Sequence, residues 1–141
     1  MPPETAPMLQ FEKRGRVTIG SVVSTNMLDG ANVTDFGNQA IKYIEKHPGT
    51  NLLLNFQNVT YMSSAALTEL LRINQALRER NGSVRLCSLT PAIRNVFQIT
   101  NLEKLFFIHD GEDLEAAHKR FERALTIAAQ EEAWAEKNAS G

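Results

Sequence analysis

Residues 61 to 67 read YMSSAAL and set two adjacent hydroxyls, Ser63 and Ser64, where the chain changes from a strand pattern to a helix pattern. Three kinds of chemistry suit such a pair: a nucleophile, a helix cap, or an acceptor on which charge is added and removed. A hydrolytic serine asks for an elbow such as G-x-S-x-G, because only small neighbours permit that strained turn, and for a base within reach. Here the neighbours are Met62 and Ala65. Of the three histidines, His47 stands beside Pro48 at a helix-end pattern, and His118 lies on a charged turn with Lys119 and Arg120. Together with His109 they read as satisfied or solvated side chains. No Cys/His/Asp group has metal-ligand spacing, and no glycine-rich loop cradles a phosphate. Neither a catalytic residue, a metal nor a cofactor is expected.

A cap is better founded, since a hydroxyl at a helix N-terminus accepts a backbone N–H bond worth about 1 kcal/mol. One serine suffices for that. If Ser63 caps, Ser64 falls in the first turn with its hydroxyl toward solvent, and the short Ala65 and Ala66 leave the surface around it open. That describes an accessible phosphoacceptor.

Such a pair needs elements to position it, and 141 residues with 43% hydrophobic content suit one globular domain. Fifteen Lys and Arg against sixteen Asp and Glu give a net charge of −1, which supplies no broad positive field for nucleic acid or an anionic membrane. The opening MPPETAPMLQFEKR lacks a signal-peptide pattern and no apolar run reaches spanning length, so the expected location is cytoplasmic. The lone Cys87, in the apolar run VRLCSL, reads as a small buried hydrophobe.

Along the chain two periods alternate. MLQFEKR and RVTIGSVV, broken at Gly15, suggest a hairpin that buries Val17, Ile19 and Val23; STNMLDG reads as a loop. From about residue 32 to 46, Val33, Phe36, Ala40, Ile41 and Ile44 fall at helical spacing, with Asp35, Lys42, Glu45 and Lys46 opposite. LLLNF has the near-continuous apolar character of a strand covered on both faces. After YMSSAAL, a helix burying Leu67, Leu70, Leu71 and Leu77 stops at Asn81 and Gly82, where glycine can adopt positive φ. Thr68, Arg72, Gln75 and Glu79 recur on its other side. VRLCSL is another buried strand, TPAIRNVFQI a short helix capped by Thr90, and LFFIHD a last strand. A terminal helix carries Leu114, Ala117, Phe121, Leu125 and Ala128 on one stripe. Beyond Ile127 its large apolar residue is Trp134, read as half-exposed on a fraying end or docked on a neighbouring chain; the tail AEKNASG reads as disordered. Strand and helix in turn imply crossover units, hence an α/β fold with a largely parallel sheet.

The stretch from NLLLNFQNVTYMSSAAL to NLEKLFFI resembles the core of a STAS domain, the family of bacterial anti-sigma factor antagonists. The features that carry the likeness are the apolar strand followed by F-x-N-V, the pair Tyr61 and Met62, the serine-bearing helix start, and the run P-x-I-R-x-V-F-x-I-T-x-L ending at Leu102. The resemblance implies a mixed, largely parallel sheet of about five strands with amphipathic helices and a C-terminal helical extension. It divides the chain into a flexible start (1–8), a STAS domain (9–127) and an extension with a disordered tail (128–141).

In that family a serine at the start of the second helix is phosphorylated by a partner kinase and dephosphorylated by a metal-dependent serine phosphatase. Matching Met62 and Leu67 to the family's apolar flanks implies that Ser64 is the phosphoacceptor, ahead of Ser63. Ser63 stands where an aspartate is frequent, and Ala66 replaces the usual glycine. The implied function is partner switching: an ATP-binding anti-sigma serine kinase is bound through Asn58, Tyr61, Met62, Ser63, Ser64, Thr68 and Arg72, and released on phosphorylation. A phosphorylation-independent STAS scaffold, with the serines acting only as caps, is the alternative.

Overall fold

Leu52, Leu53 and Leu54 are all fully buried, and the reason is their place in the middle of a sheet with packing on both faces. The computed structural model describes residues 7–23 and 25–139; the expectations for residues 1–6, 24, 140 and 141 fall outside them. In chain order the elements are β1 (Leu9–Arg14), β2 (Val17–Val22), β3 (Met27–Leu28), α1 (Asn32–Lys46), β4 (Asn51–Asn55), β5 (Tyr61–Met62), α2 (Ser64–Arg78), β6 (Ser83–Cys87), α3 (Pro91–Ile99), a 3-10 turn at Leu102–Lys104, β7 (Phe107–His109) and α4 (Leu114–Ala139).

The hairpin forms as expected, β1 antiparallel to β2 with Gly15 at φ 62° in the turn. Strands β2, β4, β6 and β7 then run parallel, so the five-stranded sheet has the order β1-β2-β4-β6-β7. Alternation along β4 sends Leu52 and Leu54 into the larger core under α1, α2 and α3, and Leu53 into a smaller one under α4. Val17, Ile19, Cys87, Ala117 and Phe121 complete the smaller core.

Several expectations change. STNMLDG contains β3, whose Met27 and Leu28 pair in parallel with Tyr61 and Met62 of β5. Val23, expected inside, lies past the end of β2 and is exposed. Leu71 is 38% exposed, because α2 buries the rows through Ala66, Leu70, Ile73 and Leu77 instead. At the end of α2 it is Asn81 that takes the positive φ of 61°, whereas Gly82 is required because a Cβ there would meet the Thr50 carbonyl oxygen and Leu77. Met8, placed in the flexible start, is buried, and its N–H donates to Gln39 Oε1 at 2.7 Å. Ala128 is exposed, and α4 remains helical to Ala139, so residues 135–139 of the expected disordered tail are helix. Their Ala, Glu and Lys content favours helix.

Candidate phosphoacceptor and partner surface

The second serine owes its position to the first. Ser63 ends the short β3–β5 ladder, donating its N–H to the Leu28 carbonyl at 2.9 Å, and its own carbonyl accepts from Ala66 N–H at 3.0 Å. With φ −81° and ψ 167° it occupies the N-cap position of α2, yet its hydroxyl makes no cap bond. This corrects the capping expectation: Ser63 Oγ is buried and has no hydrogen-bond partner among the described residues. Side-chain caps form instead at α3, where Thr90 Oγ1 accepts from Ile93 N–H at 3.3 Å, and at α4, where Asp113 Oδ1 accepts from Ala116 N–H at 2.8 Å.

Ser64 is the first residue of α2 and is exposed. The first turn carries no acidic side chain and no side-chain cap, so the positive end of the helix dipole is left uncompensated beside its hydroxyl. Ala65 is exposed as well, while Ala66 is wholly buried in the larger core.

Around this point the expected partner residues separate into two groups. Asn58, Tyr61, Thr68 and Arg72 are exposed. Tyr61, 49% exposed, lies in register with Met27, 42% exposed, so the ladder presents two apolar side chains together. Met62 is only 6% exposed and belongs to the core; it supports the loop from beneath and is not available to touch a partner. Met27 was missed because a two-residue strand has no readable period.

Glu69 was missed too. It is buried on α2 against α1, where Gly37 makes room: a Cβ at 37 would collide with the Glu69 carboxylate. Arg72, one turn on, donates to Glu69 Oε2. The signal was present, since Ala66, Glu69, Leu70 and Ile73 share one helical face and Arg72 follows Glu69 at i+3.

No histidine serves either serine. His47 Nδ1 lies 2.9 Å from the Tyr43 carbonyl and His118 Nε2 3.3 Å from that of Arg14, as satisfied side chains should. His109 departs from that reading. Its Nδ1 is 3.1 Å from Glu112 Oε1, but its buried Nε2 has no hydrogen-bond partner among the described residues, and burial pushes its pKa below the ordinary histidine value against the pull of Glu112. Cys87 is buried as expected, and burial pushes its thiol up to about 11. Among the described residues there is no metal-binding cluster, and no helix is long and apolar enough to cross a membrane.

A family model for the STAS domain matches residues 9–117. The chain belongs to the STAS domain family. Of its relatives, BtrV of Bordetella bronchiseptica, which carries the name of an anti-sigma factor antagonist, is 34% identical over 74 residues, 52% of this chain and 62% of that protein. Solved structures share the fold at lower identity. A STAS domain protein from Planctomyces limnophilus superposes with TM-score 0.71 at 17% identity, covering 80% of this chain and 96% of the other. The anti-sigma factor antagonist SpoIIAA in its unphosphorylated form gives TM-score 0.65 at 22% identity, covering 79% and 94%. The phosphorylated form of the Bacillus protein SpoIIAA gives 0.60 at 21% identity, covering 79% and 97%. The STAS match ends within α4, at residue 117, so most of that helix lies beyond the matched segment.

Proposed function

We propose that this STAS protein is a non-enzymatic anti-sigma factor antagonist that acts by partner switching, with Ser64 as the switch. Unphosphorylated, it binds an ATP-binding anti-sigma serine kinase through Asn58, Tyr61, the open first turn of α2 and the side bearing Thr68 and Arg72, and so frees a sigma factor in the cytoplasm. The kinase transfers the γ-phosphoryl group of ATP to Ser64 Oγ, with ADP leaving and the serine proton going to a base of the kinase. A metal-dependent serine phosphatase returns the hydroxyl.

The observation that carries this reading is the exposed Ser64 hydroxyl at an uncompensated helix N-terminus. A phosphate there meets the positive end of α2, so the fold tolerates it, while two negative charges enter a contact that the apolar Met27 and Tyr61 require to be dry. Modification therefore acts on binding and leaves folding alone.

Incubation with the anti-sigma kinase and Mg-ATP, followed by mass spectrometry of the peptide spanning residues 61 to 67, tests the proposal. Phosphate on Ser64 and loss of the complex are expected. Stable binding with no phosphate transferred would favour the phosphorylation-independent scaffold.

A further inference from the structure

One helix covers the second face of the sheet, and one helix is not enough. An α-helix is about 10 Å wide and strands are spaced about 4.8 Å apart, so α4 is too narrow to cover all five strands. It packs on Val17 and Ile19 of β2, Leu53 of β4 and Cys87 of β6, and leaves open a groove of about 380 Å³ between its flank and the β6–β7 edge. Arg85 and Phe107 lie in that groove, with Leu105 at its rim and Ala124 on its helical wall.

Arg85 is an unusual occupant. Its guanidinium stacks 4.0 Å from the Phe107 ring centre and 4.5 Å from that of Phe121, and it has no hydrogen bond or ion pair among the described residues. Arg78 lines the same groove and makes no ion pair with an acidic side chain among the described residues. The groove thus offers an apolar, aromatic floor and cationic donors already held in place, which calls for a partner that joins an aromatic ring to a carboxylate.

The far end of α4 presents that combination. Arg120, Ala124, Ile127, Glu131 and Trp134 recur at alternating steps of four and three, which places them on one face of the helix in the spacing of a coiled-coil seam. The face is continuous with the groove, since Arg120 lies 5.4 Å from the Phe107 ring and Ala124 lines it. Along it Ile127 is exposed, and Trp134 is 69% exposed with Glu131 one turn before it. Every residue from 130 to 139 is exposed, so this end of the 26-residue helix lies open along its whole surface.

We propose that two copies of this chain pair through antiparallel α4 helices, the Trp134 ring of each seating in the groove of the other and its Glu131 carboxylate neutralising the cations there. Ala124 and Trp134 are about 15 Å apart along the helix, so an antiparallel pair centred near Ala129 brings each tryptophan level with the opposite groove. The contact is self-complementary and closes as a two-fold dimer. It uses the sheet face opposite α2, so both Ser64 hydroxyls remain open.

Sedimentation over a wide concentration range tests the pairing directly, and Trp134, the single tryptophan of the chain, reports its own burial by fluorescence. A dimer is expected whose formation shifts the emission to shorter wavelength and which weakens with salt. Trp134→Ala and Arg85→Gln should each weaken it about tenfold or more. Glu131→Arg, on the exposed helix, should do the same without touching the core, and Arg85→Glu combined with Glu131→Arg should recover part of the loss. A wild-type monomer at every concentration would overturn the proposal. So would a dimer indifferent to Trp134→Ala and Glu131→Arg, an assembly that grows beyond two, or a groove filled only by an added acidic peptide.

Discussion

Ser63 and Ser64 are consecutive, yet Ser63 Oγ is buried without a partner while Ser64 stands exposed on the first turn of α2. The separation coincides with the change of backbone conformation, since Ser63 is extended at φ −81° and ψ 167° and Ser64 is the first helical residue. Ser63 is tied to the β3–β5 ladder by its N–H, which donates to the Leu28 carbonyl. Of the two serines, Ser64 is the one open to solvent without rearrangement of the loop.

For Ser64 the expected outcomes are therefore asymmetric. Ser64→Ala should abolish phosphorylation and keep the complex with the kinase, while Ser64→Asp should weaken that complex about tenfold or more by bringing a charge into a desolvating contact. Titration calorimetry with each variant checks this. Phosphate found on Ser63 alone would reject the assignment.

Ser63 yields an opposite expectation from the usual one for an N-cap. Replacing a capping serine by alanine ordinarily costs about 1 kcal/mol. Here the hydroxyl makes no cap bond and is buried unsatisfied, so Ser63→Ala should leave stability unchanged or raise it by up to about 1 kcal/mol. Urea unfolding decides it: a loss of a full cap's worth would mean that the hydroxyl bonds in solution.

The strand and helix order was legible because its signals are local and repeated. Val33, Phe36, Ala40 and Ile44 mark α1 by their spacing, and LLLNF marks a central strand by having no polar side. Strand β3 has only Met27 and Leu28, too few for any period, and exists because Tyr61 and Met62 pair with it from far along the chain. Leu71 illustrates another limit: hydrophobicity alone made it a core residue, but the neighbours of α2 reach only the rows through Leu70 and Ile73. At the site, the exposure of Ser64 was readable from its neighbours, whereas the burial of Met62 and the pairing of Arg72 with Glu69 depend on how α2 sits against α1.

His109 makes stability sensitive to mild acid. It is buried, its Nε2 has no hydrogen-bond partner among the described residues, and the groups around it are Glu112, which favours its charged form, and Arg85 and Arg120, which oppose it. Burial is the largest influence and lowers its pKa in the fold, so the unfolded chain takes up the proton first as pH falls. The contribution is intact above the ordinary value of 6.5 and is lost as pH drops below it, at up to about 1.4 kcal/mol per pH unit. Thermal melts from pH 8 to 5 should show this decline in the wild type and a flatter one in His109→Gln. Parallel declines would assign the acid sensitivity to other groups.

Gly82 tests the junction of α2 with the sheet. A Cβ at this position meets the Thr50 carbonyl, which itself accepts the Ser83 N–H at 3.1 Å, so it can move only by disturbing the β4–β6 edge. Gly82→Ala should cost about 1–3 kcal/mol, the range for overpacking. Asn81→Gly, by contrast, relieves a left-handed residue at φ 61° and should be neutral or mildly stabilising. Equal stability of the two variants would show that the end of α2 has slack which the structure does not suggest.

The division of the chain near residue 127 can be tested by cutting α4 at two places. Ala117 and Phe121 are buried on the sheet and Leu114 and Leu125 pack beside them, so this part of the helix covers a core that would otherwise face water. Burial of Phe121 alone contributes on the order of 2 kcal/mol. From Gln130 to Ala139 every residue is exposed, so no buried packing is lost when these residues go. Truncation after Gln130 should leave the unfolding free energy of the single chain within about 0.5 kcal/mol of the full length, while removing Trp134 and with it the self-association proposed above. Truncation before Leu114 should instead expose the smaller core and give unfolded or aggregated protein. Denaturant unfolding of both truncated proteins at low concentration, where a dimer does not contribute, separates these effects. Equal midpoints for the two would make the whole of α4 an appendage and move the domain's end back to β7.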